Sequence, residues 1–121
     1  MSDRLIFVCS HGKEDPERAI LPFIAANIAA AVGKQAAVLL TIEGVWIGTE
    51  GGTDGITYEG LPNLSDLYAE FVENGGEVWV CGACTKPRGI GEDRVGKGAK
   101  IVGAGLVVEE VAAGAKMMSY A

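Results

Sequence analysis

No stretch of the 121-residue chain approaches the ~20 consecutive apolar residues that a bilayer-spanning helix requires. Hydrophobic residues make up 49% of it, but they fall in short runs broken by Gly, Pro and charge. A soluble protein without a membrane partner is expected. Positive charge is scarce: ten Lys and Arg stand against sixteen Asp and Glu, a net charge of −6. Phosphate-backbone binding is driven by clustered positive charge, so nucleic acid is not an expected partner. The opening MSDRLIFVCSHG has an apolar run too short for a secretory signal and lacks a small-residue cleavage site, which points to the cytoplasm. Three cysteines, an odd number in a reducing compartment, argue against a disulfide framework and for chemistry or packing. No phosphate-cradling glycine loop with its lysine, no metal-protease helix and no arguable Ser–His–Asp set occurs. Internal repeats, low-complexity tracts and linkers are also missing, and 121 residues suit one domain over 1–121.

What remains is a regular alternation. Leu5 to Cys9 is a continuous apolar run of strand length, as a strand covered on both faces should be. Asp15-Pro16-Glu17 then reads as a helix start: Asp caps free N–H groups, Pro fits the first helical position, and Glu complements the dipole. Ile20, Phe23, Ile24, Asn27, Ile28 and Ala31 continue it along one face to a stop at Gly33, with Pro22 expected to bend it. Ala36 to Ile42 is a second strand, and Val45 to Thr49 starts a short helix. Residues 48–63 hold five glycines and a proline without periodicity, as a solvated loop or a flap. Leu64, Leu67, Tyr68, Phe71 and Val72 give a helix capped by Ser65 and stopped at Gly75. Glu77 to Val80, Lys100 to Ala104 and Lys116 to Tyr120 read as strands and Leu106 to Ala113 as a helix. Alternating strands and helices imply an α/β fold. It is a mostly parallel five-stranded sheet with right-handed crossovers and helices on both faces, in flavodoxin-like layering.

In such sheets reactive groups gather at the carboxyl ends of strands. Those ends carry Cys9, Ser10 and His11, then Glu43, then Cys81 and Cys84. Gly82 and Ala83 let the chain turn after Cys81. Lys86, Arg88, Arg94, Lys97 and Lys100, half of the basic residues, follow it. Lys86 and Arg88 are close enough in sequence to favour a Cys81 thiolate, the form that attacks sulfur. The spacing of Cys81 and Cys84 suits a disulfide, a thiol-redox CxxC module, or two ligands of one metal. Cys9 and His11 would complete a four-ligand zinc or iron site with them if the first and third strands were neighbours; otherwise His11 is a solvated loop residue.

Five pieces in order carry a resemblance. They are Pro16-Glu17-Arg18-Ala19 opening a helix, Glu43-Gly44-Val45 after the second strand, Gly75-Gly76 before the third, Cys81-Gly82-Ala83-Cys84, and Arg88-Gly89-Ile90 beyond it. In this the chain resembles the DsrE/DsrF-like family of small sulfur-relay proteins, and within it the YchN-like branch that bears CxxC. The resemblance implies a sulfur carrier or sulfane-sulfur reductase without an organic cofactor. Cys81 takes the position that holds a persulfide, Cys84 modulates or resolves it, and Lys86 and Arg88 support its anionic forms. It also implies sulfur donor and acceptor proteins as partners, and a homo-oligomer, trimer or hexamer. The alternative function is an oligomeric interaction scaffold.

Overall fold

In the computed structural model, which describes residues 1–120, the five strands form one sheet in the order β4-β3-β2-β1-β5. They are β1 (Leu5–Cys9), β2 (Ala36–Leu40), β3 (Glu77–Cys81), β4 (Ala99–Val102) and β5 (Lys116–Ser119). Every pairing is parallel, which carries the expected mostly parallel sheet one step further. The strands step in one direction from β1 to β4, and the last connection then returns past β1. Right-handed crossovers therefore put helices α1 (Pro16–Ala31) and α2 (Leu64–Glu73) on one face and α4 (Ala104–Ala112) on the other.

The first face holds the larger core. Asp15 caps α1 by accepting the Arg18 N–H at 3.2 Å, and Pro16 fills the first turn. The helix runs on through Pro22. Its buried stripe of Ala19, Ile20, Phe23 and Ala26 meets α2, where Phe23 stands edge-on to Phe71 with centroids 6.1 Å apart. The buried Asn27 amide ties the two helices by donating to Leu67 O at 2.9 Å. Gly76 is required beneath this contact, because a Cβ there would lie 2.3 Å from the Phe71 ring.

On the opposite face Ile6, Ala37, Leu39, Trp79 and Val102 form a smaller core under α4. Arg4 lies over the Trp79 ring at 5.2 Å and bonds Glu77 at 2.8 Å and Glu110 at 3.1 Å, closing the edge of that layer.

Several boundaries differ from the sequence reading. Helix α2 is capped by Asn63, whose side chain accepts the Asp66 N–H at 2.9 Å. Ser65 is already inside the helix, its hydroxyl paired with Thr53 at 3.0 Å. Strand β2 ends at Leu40, and residues 42–48 form a 3₁₀ segment in place of a strand end and a later helix. The glycine-rich stretch from 49 to 63 is irregular and mostly exposed, but it is pinned by a bridge from Thr49 to Val95 and by Ile56, only 1% exposed.

Because Phe71 is fully buried against Phe23 and Gly76, Phe71→Ala should cost about 3–5 kcal/mol. In urea titration the midpoint should fall with little change in slope. A midpoint equal to wild type would contradict this account of the core.

Candidate functional site

Parallel pairing brings the ends of β1, β2 and β3 to one edge of the sheet, and the loops that leave them hold the thiols. Cys81 is the last residue of β3, half-buried and paired in register with Val102. Alternation along β3 turns it with Trp79 toward the α4 side, at a rim where it also touches the larger core. The chain then winds into a single helical turn, α3 (Gly82–Thr85), and a 3₁₀ turn at Lys86–Arg88. The sequence predicts only a turn at Gly82 and Ala83, and the helical winding extends it to Arg88. Two buried anchors hold it, Thr85 donating its hydroxyl to Gly82 O at 3.1 Å, and Ile90, whose N–H reaches Thr85 O at 3.1 Å. Gly89 closes it at φ +68°, a left-handed conformation that favours glycine. The winding brings the Cys84 thiol back near Cys81, close enough for each to bear on the other's charge, and both thiols are free.

The loop after β2 forms the other wall. The Thr41 N–H bonds Cys9 O at 2.9 Å, and Gly44 packs so closely on β1 that a Cβ would sit 2.2 Å from Cys9 O. Between them Ile42 has φ +52°, a genuine outlier for a β-branched residue. Its side chain is more than half exposed, so packing of that side chain does not explain the conformation; its N–H, however, lies near enough to the Cys84 sulfur to favour the anionic form. Strain of this kind, of order 1–3 kcal/mol, persists only where the surroundings over-determine it. Sequence reasoning missed Ile42 because it closes the apolar run AAVLLTI, which reads as strand to its end.

Glu43, singled out in the sequence, accepts from Arg88 Nε at 3.0 Å, and Arg88 Nη1 donates to Cys84 O at 3.1 Å. This bridge joins the loops after β2 and β3. The guanidinium charge acts on Cys84. Lys86 is exposed.

The four-ligand arrangement is not assembled. β2 lies between β1 and β3, which puts those strands about 10 Å apart. Cys9 is 1% exposed on the α1 side, its thiol directed at His11 O and Ala19 O. His11 Nδ1 pairs with Glu14 Oε2 at 2.7 Å. Among the described residues no group of three or more His, Cys, Asp or Glu is positioned to hold a metal ion.

The thiols differ in acidity. Burial pushes Cys9 up to about 12. Cys84 is raised from the ordinary thiol value, chiefly by desolvation and further by the adjacent Cys81, while the Ile42 N–H and Arg88 oppose the rise. Near neutrality Cys84 is a thiol rather than a thiolate.

With that geometry in hand, likeness to other proteins becomes informative. Residues 3–120 match the model of the DsrE/DsrF-like family. An uncharacterized protein of Methanopyrus kandleri, MK0008, is 31% identical over 91 residues, covering 75% of this chain and 72% of that protein. Uncharacterized protein MJ0760 of Methanocaldococcus jannaschii is 26% identical over 102 residues, 84% of this chain but only 37% of that longer protein. Among solved structures, YchN from E. coli superposes with a TM-score of 0.81 at 17% identity, covering 99% of this chain and all of that one. MTH1491 from Methanobacterium thermoautotrophicum, a protein of unknown function, gives 0.75 at 19% identity over 98% of this chain and all of its own. At such identities these likenesses establish the fold. Among the described residues no helix is long and apolar enough to cross a membrane.

Cys9 supplies a pH test. Its thiol titrates near 12 in the native state against 9.0 as the ordinary value, so between those limits the folded chain binds the extra proton and stability falls as pH rises. Below pH 9 this contribution is fully present. Denaturant midpoints should therefore decline from pH 9 upward. Cys9→Ala should flatten the decline, leaving the share of Tyr68, also raised to about 12 by burial. An unchanged slope in the variant would contradict the assignment.

Proposed function

The chain belongs to the DsrE/DsrF-like family, and from that footing we propose that it handles sulfane sulfur, with Cys81 accepting a sulfur atom as a persulfide and passing it on. The family supports a role related to sulfur relay. The observation that carries the finer reading is the pair of free, partly accessible thiols standing near one another at the carboxyl edge of the sheet, while Cys9 is sealed in the core. Reduced thiols of this kind suit the cytoplasm, and the partners are proteins that donate and accept sulfur.

Two fates compete for a Cys81 persulfide. An acceptor thiolate attacking the outer sulfur takes that atom and releases the Cys81 thiolate. Alternatively, Cys84 as thiolate attacks the Cys81 Sγ; a Cys81–Cys84 disulfide forms and hydrosulfide leaves, the outer sulfur being reduced as the two cysteines are oxidised. The raised pKa of Cys84 suppresses the second route near neutrality. This favours the carrier over the reductase, with Cys84 as a gate that opens as pH rises. Arg88 holds the carbonyl of Cys84 and, with the Ile42 N–H, favours the anionic form of its sulfur.

The chain also self-associates on this reading. Helix α4 carries Leu106, Val107, Val108 and Val111 with none of its residues fully buried, and Met117 and Met118 of edge strand β5 are about half exposed. A helix apolar on so many sides is expected inside an assembly.

After incubation with a persulfide donor at neutral pH, intact-mass and peptide mass spectrometry should find one added sulfur atom on Cys81 in wild type and in Cys84→Ser, and none in Cys81→Ser. The adduct should decay faster as pH rises in wild type but not in Cys84→Ser. Absence of the Cys81 adduct from both proteins would refute the carrier. Light scattering should give a mass that is a multiple of 12.5 kDa, and Val111→Lys should lower it toward one chain; a monomeric wild type would refute self-association.

A further inference from the structure

Cys81 opens onto a small groove of about 190 Å³ between the ends of β3 and β4 and the first turns of α4. Leu39, Val102, Ala104, Val107 and Val108 line it with Cys81, and no charged residue does. At ~30 Å³ per water-sized group it has room for about six heavy atoms. A second cavity of about 560 Å³, at the ends of β1 and β2, has the opposite character, lined by Glu14, Glu43, Glu50 and Lys13 as well as Trp46. The thiol with the persulfide position therefore faces the uncharged groove, while the carboxylates face elsewhere.

We propose that this groove is the donor subsite. It binds the apolar R group of a low-molecular-weight hydropersulfide, R–S–SH, so that the outer sulfur meets Cys81 Sγ. The inference rests on Cys81 being the sulfur acceptor. The Cys81 thiolate attacks the outer sulfur, the new S–S bond forms as the R–S–SH bond breaks, and R–S⁻ departs. The proton stays on the transferred sulfur, and neither oxidant nor reductant is consumed. A short alkyl chain is desolvated favourably against Leu39, Val102 and Val107. A carboxylate in the same position would lose its hydration with no partner in return, so donors are sorted by the charge on R.

The test compares propyl hydropersulfide with its 2-carboxyethyl analogue at one pH, following the Cys81 adduct by quenched mass spectrometry. The propyl donor should load wild type at least roughly tenfold faster. Ala104→Lys, at an exposed groove position outside the apolar surface assigned to self-association, should shrink or invert that preference. Equal rates with Cys81 loaded by both donors would overturn the subsite and leave the sulfur-acceptor reading intact. Faster loading by the carboxylate donor in wild type would do the same. No adduct from either donor would remove the acceptor reading, and the subsite with it.

Discussion

The parallel register of the sheet is the constraint on which the site depends. With β3 held in register between β2 and β4, Cys81 must emerge at the edge where β1 and β2 also end, whatever the loops do. The Glu43–Arg88 pair then sets the distance between two of those loops. Its partners are 45% and 24% exposed, so it adds on the order of 1 kcal/mol or less to stability. Its role is geometric: the same guanidinium that holds Glu43 also holds the carbonyl of Cys84, which fixes the turn returning one thiol to the other.

On the proposed reading, that turn lets a CxxC pair hold sulfur without closing into a disulfide near neutrality. Two thiols in contact tend toward oxidation when one is readily a thiolate and finds an oxidant. Here partial burial and the adjacent Cys81 hold the Cys84 proton on, while the Ile42 N–H limits the rise. The left-handed Ile42 is thus intelligible as the backbone conformation that aims a donor at sulfur while the Gly44 contact keeps the loop pressed on β1.

The fold was legible because its strands are short apolar runs and its long helices have clear periodicity; the Asp15-Pro16 start and the Leu64-Leu67-Phe71 face read directly. Boundaries shifted where local geometry outweighed apolar pattern. Asn63 reaches the free N–H groups of α2 two residues before Ser65 could do so, and Ile42 is drawn out of its strand by the packing of Gly44. Cys81 and Cys84 were visible from spacing, yet their proximity was not, since it requires α3, a turn too short to leave a periodic signature. The partner of Arg88 was equally hidden, because Glu43 is distant in sequence and only adjacency of β2 and β3 joins them. The same strand order separates Cys9 from Cys81, which the sequence could pose only as a condition.

Strand order has a further consequence on the far face. Since only β5 returns past β1, a single nine-residue helix, α4, serves a face of five strands, whereas α1 and α2 share the other. So short a cover buries Trp79 and Leu39 but leaves its own apolar residues outside, and its first turns leave a groove beside the carboxyl end of β3. One topological fact therefore accounts for two features, the unpartnered apolar surface along α4 and β5 and the uncharged groove beside Cys81. If a second copy covers the former, its edge passes near Val108 at the mouth of the latter. Assembly and access of sulfur donors to Cys81 are then coupled through the same helix, and a substitution on the outer side of α4 would alter both.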